Sequence, residues 1–393
     1  MGVTKTVMRG FCLGLAVLLL CLQSVYTAAE PSAQVDTEVA TQLVEAESGI
    51  LMEASTGEVL YEWEPDKRLQ IASVTKVMTM LLIMEALDSG KIHKEDMVTV
   101  SENAASMGGS QVFLEVGEQM SVDDMLKAIA VASGNDAAVA MAEYIGGTHE
   151  AFVEKMNKKA QELQCENTHF INCNGLDETQ EHYSSARDIA KISRELIKHQ
   201  GIFDYTTIWM DSLRNGSFGL SNTNRLIRFY PGANGLKTGS TSAAKYCLSA
   251  TAERDGMQLI AVVLGAPSTA ERFNSASSLL DYGFANYAVA NADTVDMTLP
   301  SLPVQGSTVS VIPIEIKDGA FIVKKGNQDK VEKEVTLEPD VKAPVAAGDK
   351  LGEVIFRIEG EETARRDIVA AADAERIGTL QMFRKILKKW TAM

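Results

Sequence analysis

The chain contains the stretch Ser73-Val-Thr-Lys-Val-Met-Thr-Met-Leu-Leu-Ile-Met-Glu-Ala-Leu87, in which a serine and a lysine precede an almost unbroken apolar run. A run of this length predicts a helix that is buried on most sides. Lys76 then lies one turn after Ser73 on the same face, with its amine near the serine hydroxyl. Because burial disfavours the charged form, the pKa of this lysine is expected to fall toward neutrality. The stretch therefore predicts a serine nucleophile with a lysine as its base.

The same Ser-x-x-Lys spacing recurs at Ser242-Ala-Ala-Lys245. This second copy runs into Tyr246-Cys-Leu-Ser-Ala-Thr-Ala252, a segment that favours a strand. Residues three apart on a strand point to opposite faces, so the serine and the lysine are not expected to meet. We interpret this copy as a strand edge beside a turn.

A second motif, Ser133-Gly-Asn135, lies between two predicted helices. Ser121-Val-Asp-Asp124 resembles a capping box that opens a helix over 125–132, and residues 136–145 follow a second helical pattern. Ser133 and Asn135 are therefore expected in a tight interhelical loop, from which a hydroxyl and an amide project into a cleft. Taken alone, the same tripeptide would be an ordinary turn.

The third motif, Lys237-Thr-Gly239, precedes the apolar runs Cys247–Ala252 and Leu259–Leu264. This pattern predicts two antiparallel strands of one sheet, with the motif on the first of them. Because Gly239 has no side chain, a substrate backbone can approach and pair with the strand there. Lys237 offers positive charge to an anionic substrate, and it disfavours protonation of Lys76 if the two amines are close.

In this order the motifs resemble those of low-molecular-mass penicillin-binding proteins, which are serine-type D-alanyl-D-alanine carboxypeptidases. The resemblance covers residues 40 to 290 and includes the segments Ile50–Gly57, Thr168–Asn172, Gly175–Asp177, His182–Asp188 and Asn222–Asn224. It implies an α/β (α+β) penicillin-binding/β-lactamase-like catalytic domain, with an antiparallel sheet flanked by helices, and a small all-β C-terminal domain. It also implies removal of the terminal D-alanine from peptidoglycan stem pentapeptides, acylation of the same serine by β-lactam antibiotics, and no cofactor or metal.

The resemblance implies a role for each catalytic residue of the motifs. Ser73 would be the acylated nucleophile and Lys76 its base. A proton-relay and substrate-orienting set would consist of Ser133, Asn135 and Lys237.

The resemblance also implies how the substrate is held. Backbone N–H groups of Ser73 and Ser240 would form an oxyanion hole, where two fixed donors stabilise the developing negative charge. Thr238 and Arg272 would hold the terminal carboxylate, since a guanidinium can bind a carboxylate through two hydrogen bonds. Gly239 completes this substrate-binding set. Cys173-Asn174, Ser240 and Ala244-Lys245 depart from the residues usual in the family.

The first 29 residues form a predicted signal peptide. Lys5 and Arg9 precede the apolar run Phe11–Leu22, no acidic residue occurs before Glu30, and small residues end the segment at Thr27-Ala-Ala29. We therefore expect an exported protein at the outer face of the cytoplasmic membrane or in the cell-wall space. The formal net charge of −16 argues against nucleic acid as a partner.

Cys12 and Cys21 lie in the signal segment, which leaves Cys165, Cys173 and Cys247. We interpret these as buried free thiols, although Cys165 and Cys173 could form a disulfide. The cysteines and the five histidines show no metal-ligand spacing.

The catalytic domain is predicted over residues 30–290. The next region, 293–371, has the short apolar runs Val309–Ile316, Ala320–Lys324 and Leu351–Ile358, which are typical of a small β-sandwich. Residues 379–393 follow an amphipathic helical pattern with a basic face, too short to span a bilayer but suited to lie on a membrane surface. Docking of this helix on its own domain is the alternative.

Other functions remain open on the same fold. A β-lactamase would require a glutamate at the position of Leu163 to activate the deacylating water. A D,D-endopeptidase that cuts cross-links is poorly separated from a carboxypeptidase by sequence. A catalytically silent cell-wall-binding protein is a further alternative, which the complete set of motif residues disfavours.

Overall fold

The structure is a computed structural model that describes residues 42–176, 179–292, 299 and 301–383. The predicted signal peptide and most of the predicted C-terminal helix lie outside these residues. The α-helices are α1 (Lys76–Asp88), α2 (Glu102–Ala105), α3 (Val122–Ala132), α4 (Asn135–Gly146), α5 (His149–Glu162), α6 (Ala186–Leu196), α7 (Phe203–Thr206), α8 (Leu226–Phe229) and α9 (Thr269–Asn286). Within the described ranges, no helix is both long enough and apolar enough to cross a membrane.

The strands form one main sheet and several smaller ones. They are β1 (Ser48–Glu53), β2 (Val59–Trp63), β3 (Met97–Thr99), β4 (Gln119–Ser121), β5 (Met210–Leu213), β6 (Phe218–Ser221), β7 (Ala233–Thr241), β8 (Lys245–Arg254), β9 (Met257–Ala266), β10 (Tyr287–Asn291), β11 (Leu302–Gln305), β12 (Val311–Ile312), β13 (Ile314–Ile316), β14 (Ala320–Lys324), β15 (Glu332–Leu337), β16 (Val341–Lys342), β17 (Lys350–Ile358) and β18 (Glu361–Ala370).

The main sheet is antiparallel, with the strand order β2-β1-β9-β8-β7. Helices cover both of its faces. Alternate residues of β9 therefore enter two different cores: Ile260 and Val262 join the core that contains α1 and α4, whereas Leu259 and Ala261 join the core that contains α9. Burial on both faces explains why β9 reads as a continuous apolar run. The predicted sheet flanked by helices is confirmed.

The apolar run after Ser73 forms the core helix that the sequence predicts. Every residue from Lys76 to Met84 is buried. Ser73 itself lies in a short 3-10 turn, Ala72–Thr75, that leads into α1. The nucleophile therefore lies just before the N-terminal end of a buried helix.

The second motif forms a tighter connection than predicted. Ser121 caps α3, because its hydroxyl accepts a hydrogen bond from the backbone N–H of Asp124 at 3.1 Å. This cap starts the helix at Val122, three residues before the predicted start. Asn135 was predicted in the loop, but it is the first residue of α4, so only Ser133 and Gly134 join the two helices. Ser133 makes this sharp turn with a φ of 63°, in the left-handed region.

The third motif lies on a strand of its own. Lys237-Thr-Gly239 belongs to β7, and the two apolar runs that follow form β8 and β9 in successive antiparallel pairs. The repeated Ser-x-x-Lys copy falls at the turn between β7 and β8, where Ser242 and Lys245 are exposed. Lys245 pairs with Glu47 at 2.8 Å on the surface. Its interpretation as a strand edge beside a turn is confirmed.

The C-terminal part is all β, as predicted. It contains a three-stranded sheet, β12-β11-β16, and a four-stranded sheet, β13-β18-β17-β15. The rings of Phe321 and Phe356 stack at 4.4 Å in one of its small cores. β10, which directly follows α9, pairs with β14, and isolated bridges reach Ala374 and Arg376. Strand pairing thus begins before the predicted boundary at 293 and continues beyond the predicted end at 371.

The cysteines outside the signal segment are free and buried, as interpreted from the sequence. Cys165, Cys173 and Cys247 form no disulfide. Burial raises the pKa of Cys165 and Cys173 to about 12 and that of Cys247 to about 11. All three thiols are therefore protonated at neutral pH and have low reactivity.

Candidate active site

Ser73 and Lys76 form the centre of the site. The Ser73 Oγ and Lys76 Nζ atoms lie 2.9 Å apart. The lysine is fully buried, and its Nζ also contacts the Asn135 Oδ1 atom at 2.6 Å and the Asn174 carbonyl oxygen at 2.9 Å. A neutral amine has two N–H groups and one lone pair. Since both of these oxygens are acceptors, they take the two N–H groups and leave the lone pair facing the serine hydroxyl.

The orientation of the Asn135 amide is fixed by hydrogen bonds to residues other than Ser73 and Lys76. Its Nδ2 atom donates to the Gly108 carbonyl at 2.7 Å, so its Oδ1 atom faces Lys76. Its backbone N–H donates to the Ser110 carbonyl, also at 2.7 Å. Asn135 is therefore a fixed acceptor for the lysine amine, a role that its place at the start of α4 makes possible.

Burial lowers the pKa of Lys76 to about 7. The nearby Asp136 opposes this shift, but its carboxylate is already engaged by the backbone N–H groups of Val112, Leu114 and Ala137. A large fraction of the Lys76 side chains is thus uncharged at neutral pH. This confirms the expected direction of the shift and its cause.

Lys237 is the second buried amine of the site, with 1% of its surface exposed. Its Nζ donates to the carbonyl of Thr238 at 2.9 Å. Burial lowers the pKa of Lys237 well below its usual value, and the positive charges of Lys76 and Arg272 lower it further. The sequence predicted that Lys237 disfavours protonation of Lys76 if the two amines are close. The effect in the structure is the reverse one, of Lys76 on Lys237, and the shift of the pKa of Lys76 itself is caused by its burial.

A cleft of about 760 Å³ opens above the serine. Ser73 and residues of all three motifs line it, together with Arg272. Ser133 faces this cleft, and its hydroxyl forms no hydrogen bond within the described part of the chain. Thr238 donates through its hydroxyl to that of Thr223 at 2.7 Å. Gly239 and Ser240 also line the cleft, so six of the predicted site residues do so, whereas Lys76, Asn135 and Lys237 are buried and do not line it.

Arg272 is held in place at the wall of the cleft. It is 6% exposed, and its Nη1 atom donates to the carbonyls of Gly239 and Cys247 at 3.3 and 3.4 Å. Its buried Nε atom has no hydrogen-bond partner in the described residues. Neither Arg272 nor the two buried lysines form an ion pair with a carboxylate of the described chain. The site therefore has an excess of positive charge that an anionic substrate can compensate.

The structure gives a reason for a glycine at position 239 in addition to the predicted one. A Cβ atom on Gly239 would lie 2.7 Å from the Ile71 carbonyl oxygen and 2.9 Å from the Ser73 nitrogen. The missing side chain thus makes room for the backbone of the nucleophile turn. Strand β7 and the turn that carries Ser73 touch through their main chains.

Sequence reasoning missed two groups that hold Lys76 and the nucleophile turn in place, the Asn174 carbonyl and the His182 side chain. The Asn174 carbonyl, which binds Lys76, belongs to a turn whose N–H groups at Asn174 and Gly175 donate to Asn172 Oδ1 at 3.1 and 2.7 Å. His182 lies under the nucleophile turn, with its Nε2 atom 2.7 Å from the Thr75 hydroxyl. Because that hydroxyl donates to the Ala72 carbonyl, the histidine is the donor between the two side chains. A backbone carbonyl has no sequence signature, so the first contact could not be predicted.

Gly175 offers a test of how tightly this turn is packed. Its φ is +80°, and an added Cβ atom would lie 1.9 Å from the Ala72 carbonyl oxygen. We expect Gly175→Ala to reduce the free energy of unfolding by about 3 kcal/mol or more, measured by urea denaturation, because it combines backbone strain with a main-chain clash. Gly117→Ala is the matched control, since Gly117 has a φ of +81° but nothing within 4 Å. The expected reduction in the free energy of unfolding for Gly117→Ala is about 1 kcal/mol. Equal losses in the two variants would contradict the proposed clash.

A serine hydroxyl beside a buried lysine at the start of a core helix, next to an antiparallel sheet that carries a Lys-Thr-Gly motif, is typical of the serine acyl-transfer enzymes that bind penicillin. Residues 34–268 match the peptidase S11 family of D-alanyl-D-alanine carboxypeptidases, and residues 298–376 match the C-terminal domain of penicillin-binding protein 5. The chain belongs to the D-alanyl-D-alanine carboxypeptidase family. It is a low-molecular-mass penicillin-binding protein and a serine-type hydrolase, as its motifs predict.

Individual relatives share most of the chain. The D-alanyl-D-alanine carboxypeptidase DacF of Bacillus subtilis (strain 168) is 43% identical over 383 residues, which cover 96% of this chain and 98% of that protein. Penicillin binding protein 5 from Haemophilus influenzae has a similar structure, with a TM-score of 0.75, 32% identity, and coverage of 85% of this chain and 98% of that one. Penicillin-binding protein D2 from Listeria monocytogenes, solved in an ampicillin-bound form, has a TM-score of 0.56 and 30% identity and covers 61% of this chain and 98% of its own.

Proposed function

We propose that this carboxypeptidase removes the terminal D-alanine from peptidoglycan stem pentapeptides through an acyl-enzyme on Ser73. The observation that supports this most directly is the 2.9 Å contact between the Ser73 hydroxyl and a buried lysine whose two N–H groups are already accepted by Asn135 and Asn174. Such a lysine has its lone pair free for the serine proton.

In the acylation step, the Ser73 Oγ atom attacks the carbonyl carbon of the penultimate D-alanine while its proton passes to the Lys76 Nζ atom. The backbone N–H groups of Ser73 and Ser240 stabilise the negative charge on the carbonyl oxygen. The C–N bond to the terminal D-alanine then breaks, and the leaving amine receives a proton through the set formed by Lys76, Ser133 and Lys237.

In the second step, water attacks the ester carbonyl. One proton of the water returns to the Ser73 oxygen, and the shortened peptide leaves as a carboxylic acid. Thr238 and Arg272 hold the terminal carboxylate during the first step, since Arg272 is buried beside the cleft without an anionic partner. β-Lactams would acylate the same serine because they present an amide with a nearby carboxylate.

The test of this function uses a synthetic pentapeptide that ends in D-Ala-D-Ala. Mass spectrometry should show the loss of a single alanine residue on incubation with the purified protein, and no loss from the same peptide with an L-alanine terminus. Release of larger fragments from a cross-linked dimeric peptide, without alanine release from the pentapeptide, would instead favour an endopeptidase. No cleavage of either substrate would contradict the proposal.

We propose the domain organisation 1–29, signal peptide; 30–290, catalytic domain; 293–371, β-sandwich; and 379–393, membrane-binding helix. Residues 379–383 are helical and exposed, and Leu380 and Phe383 present 68% and 63% of their surface to solvent. Exposed apolar side chains at the start of a basic amphipathic segment support contact with a membrane surface. The protein would then act outside the cytoplasmic membrane, where its peptidoglycan substrate lies.

The membrane contact can be tested with vesicles. Deletion of residues 379–393 is expected to reduce binding to vesicles that contain phosphatidylglycerol by about tenfold or more, because the apolar face and the basic residues both contribute. Lys388→Gln with Lys389→Gln is the matched control, which should weaken binding to anionic vesicles but leave binding to phosphatidylcholine vesicles unchanged. D-Alanine release in solution should be the same in all three proteins. Unchanged sedimentation of the truncated protein with vesicles would contradict the proposal.

A further inference from the structure

A second arginine, Arg225, lies at the mouth of the active-site cleft. It precedes α8 and lines the same cavity as Ser73, Thr238 and Arg272. Its side chain is exposed, and within the described residues it forms neither an ion pair nor a side-chain hydrogen bond. Arg225 thus has all of its guanidinium donors available in a cleft whose reaction requires an anionic substrate.

The neighbouring Arg228, in contrast to Arg225, has its guanidinium in contact with aromatic rings. Its guanidinium lies over the ring of Trp209 at 5.7 Å and over that of Phe229 at 5.8 Å. Arg228 is therefore occupied by aromatic stacking, and it does not line the cleft. The two arginines have the same charge and similar exposure but different surroundings.

Arg225 also acts electrostatically on Arg272. Burial lowers the pKa of Arg272 to about 10, and the positive charge of Arg225 contributes in the same direction. Both residues line the same cleft, so a carboxylate bound between them would be attracted by both positive charges. Arg272 reaches the cleft from its wall, where carbonyls of β7 and β8 hold it, whereas Arg225 reaches it from solvent.

We propose that Arg225 is a specificity-determining residue that binds the carboxylate of the leaving D-amino acid from the solvent side, opposite Arg272. This inference rests on the carboxypeptidase function proposed above. Arg225 attracts substrates with a free terminal carboxylate into the cleft and disfavours leaving groups that lack one. Because it binds the substrate before and during acylation, its loss raises KM more than it lowers kcat.

The test uses two thioester substrates with the same acyl-D-alanyl group. One has a thioglycolate leaving group, which carries a carboxylate, and the other has an ethanethiol leaving group, which does not. The quantity to measure is the ratio of kcat/KM for the two thioesters. Arg225→Ala is expected to lower this ratio about tenfold, the effect of one charged hydrogen bond, mainly through the KM of the thioglycolate ester.

Three further measurements make the result specific. Arg228→Ala, three residues away, should leave the ratio unchanged. Arg225→Lys should recover part of the preference, because the charge returns without the planar fork. In the wild-type protein the ratio should fall as salt is added, and this dependence should be weaker in Arg225→Ala.

An unchanged ratio in Arg225→Ala, or an equal fall in Arg228→Ala, would overturn the assignment of Arg225 while leaving the carboxypeptidase function intact. If the wild-type protein cleaves neither thioester nor the pentapeptide, the proposed function fails, and this inference fails with it. A thermal midpoint of Arg225→Ala close to that of the wild type shows that the change reports on binding rather than on folding.

Discussion

Replacement of Ser73 by alanine is expected to remove D-alanine release and covalent labelling by penicillin together. The Ser73 Oγ atom is the hydroxyl that Lys76 contacts in the cleft, and alanine leaves that amine with nothing to activate. Loss of a catalytic serine lowers kcat by about 10⁵-fold or more where it has been measured in other serine enzymes. Intact-protein mass spectrometry after incubation with benzylpenicillin should show one adduct on the wild type and none on Ser73→Ala.

The chain supplies its own control for this experiment. Ser242→Ala removes the serine of the repeated Ser-x-x-Lys copy, which is exposed in the turn before β8. This variant should keep the adduct and the full rate of D-alanine release. Peptide mapping of the wild-type adduct should place it on the peptide that contains Ser73. An adduct that survives in Ser73→Ala would refute the assignment of the nucleophile.

The second large effect is the pH dependence of penicillin acylation, which is expected to follow the protonation of Lys76. The proposed base must be uncharged, and burial lowers the pKa of Lys76 to about 7. Below that pH the amine is protonated and cannot accept the serine proton, so the second-order rate of penicillin acylation should rise as pH increases through about 7. A profile measured from acid to alkaline pH should show this ascending limb. A rate that is constant through neutrality would argue against a lysine base.

Lys76→Arg tests the same point by substitution. A guanidinium remains protonated at all accessible pH values, so the variant has a charged group but no base. We expect the acylation rate to fall by about 10³-fold, within the range for loss of general base catalysis. Lys245→Arg, at the lysine of the repeated copy, changes an exposed residue that pairs with Glu47 and should have no effect. Substantial activity in Lys76→Arg would contradict the assigned role.

Elements with a strong local pattern could be predicted from the sequence. The apolar run of α1 and the runs of β8 and β9 are long enough for burial to determine their structure, and each forms where it was expected. β7 was not separated from the strand after it, because its lysine, threonines and glycines do not alternate with apolar residues. Asn135 was placed in a loop because asparagine favours turns, whereas its side-chain contacts hold it at the start of α4.

The site was predictable where it depends on side-chain chemistry and not where it depends on the main chain. The motifs identified the serine, both lysines and the asparagine. The structure places Ser73 in the cleft and Lys76 and Asn135 behind it in direct contact, with Lys237 close enough for its pKa to be lowered by Lys76. The carbonyl of Asn174 and the shape of the turn at Gly175 come from a segment about 100 residues away from Ser73 in the sequence, and their positions follow from tertiary packing. Arg225 had no motif to mark it, and only its place in the cavity suggests a function.

The main-chain contact between β7 and the nucleophile turn also limits how this enzyme could evolve resistance to inhibitors. One conceivable form of protection is a larger residue at position 239 that shields the serine from an antibiotic. Yet any side chain there would meet the Ile71 carbonyl and the Ser73 nitrogen first, and would push the nucleophile out of position. A substitution at position 239 that blocks the antibiotic would therefore also abolish the enzyme's own reaction. Variants that resist inhibition should instead carry substitutions at the rim of the cleft.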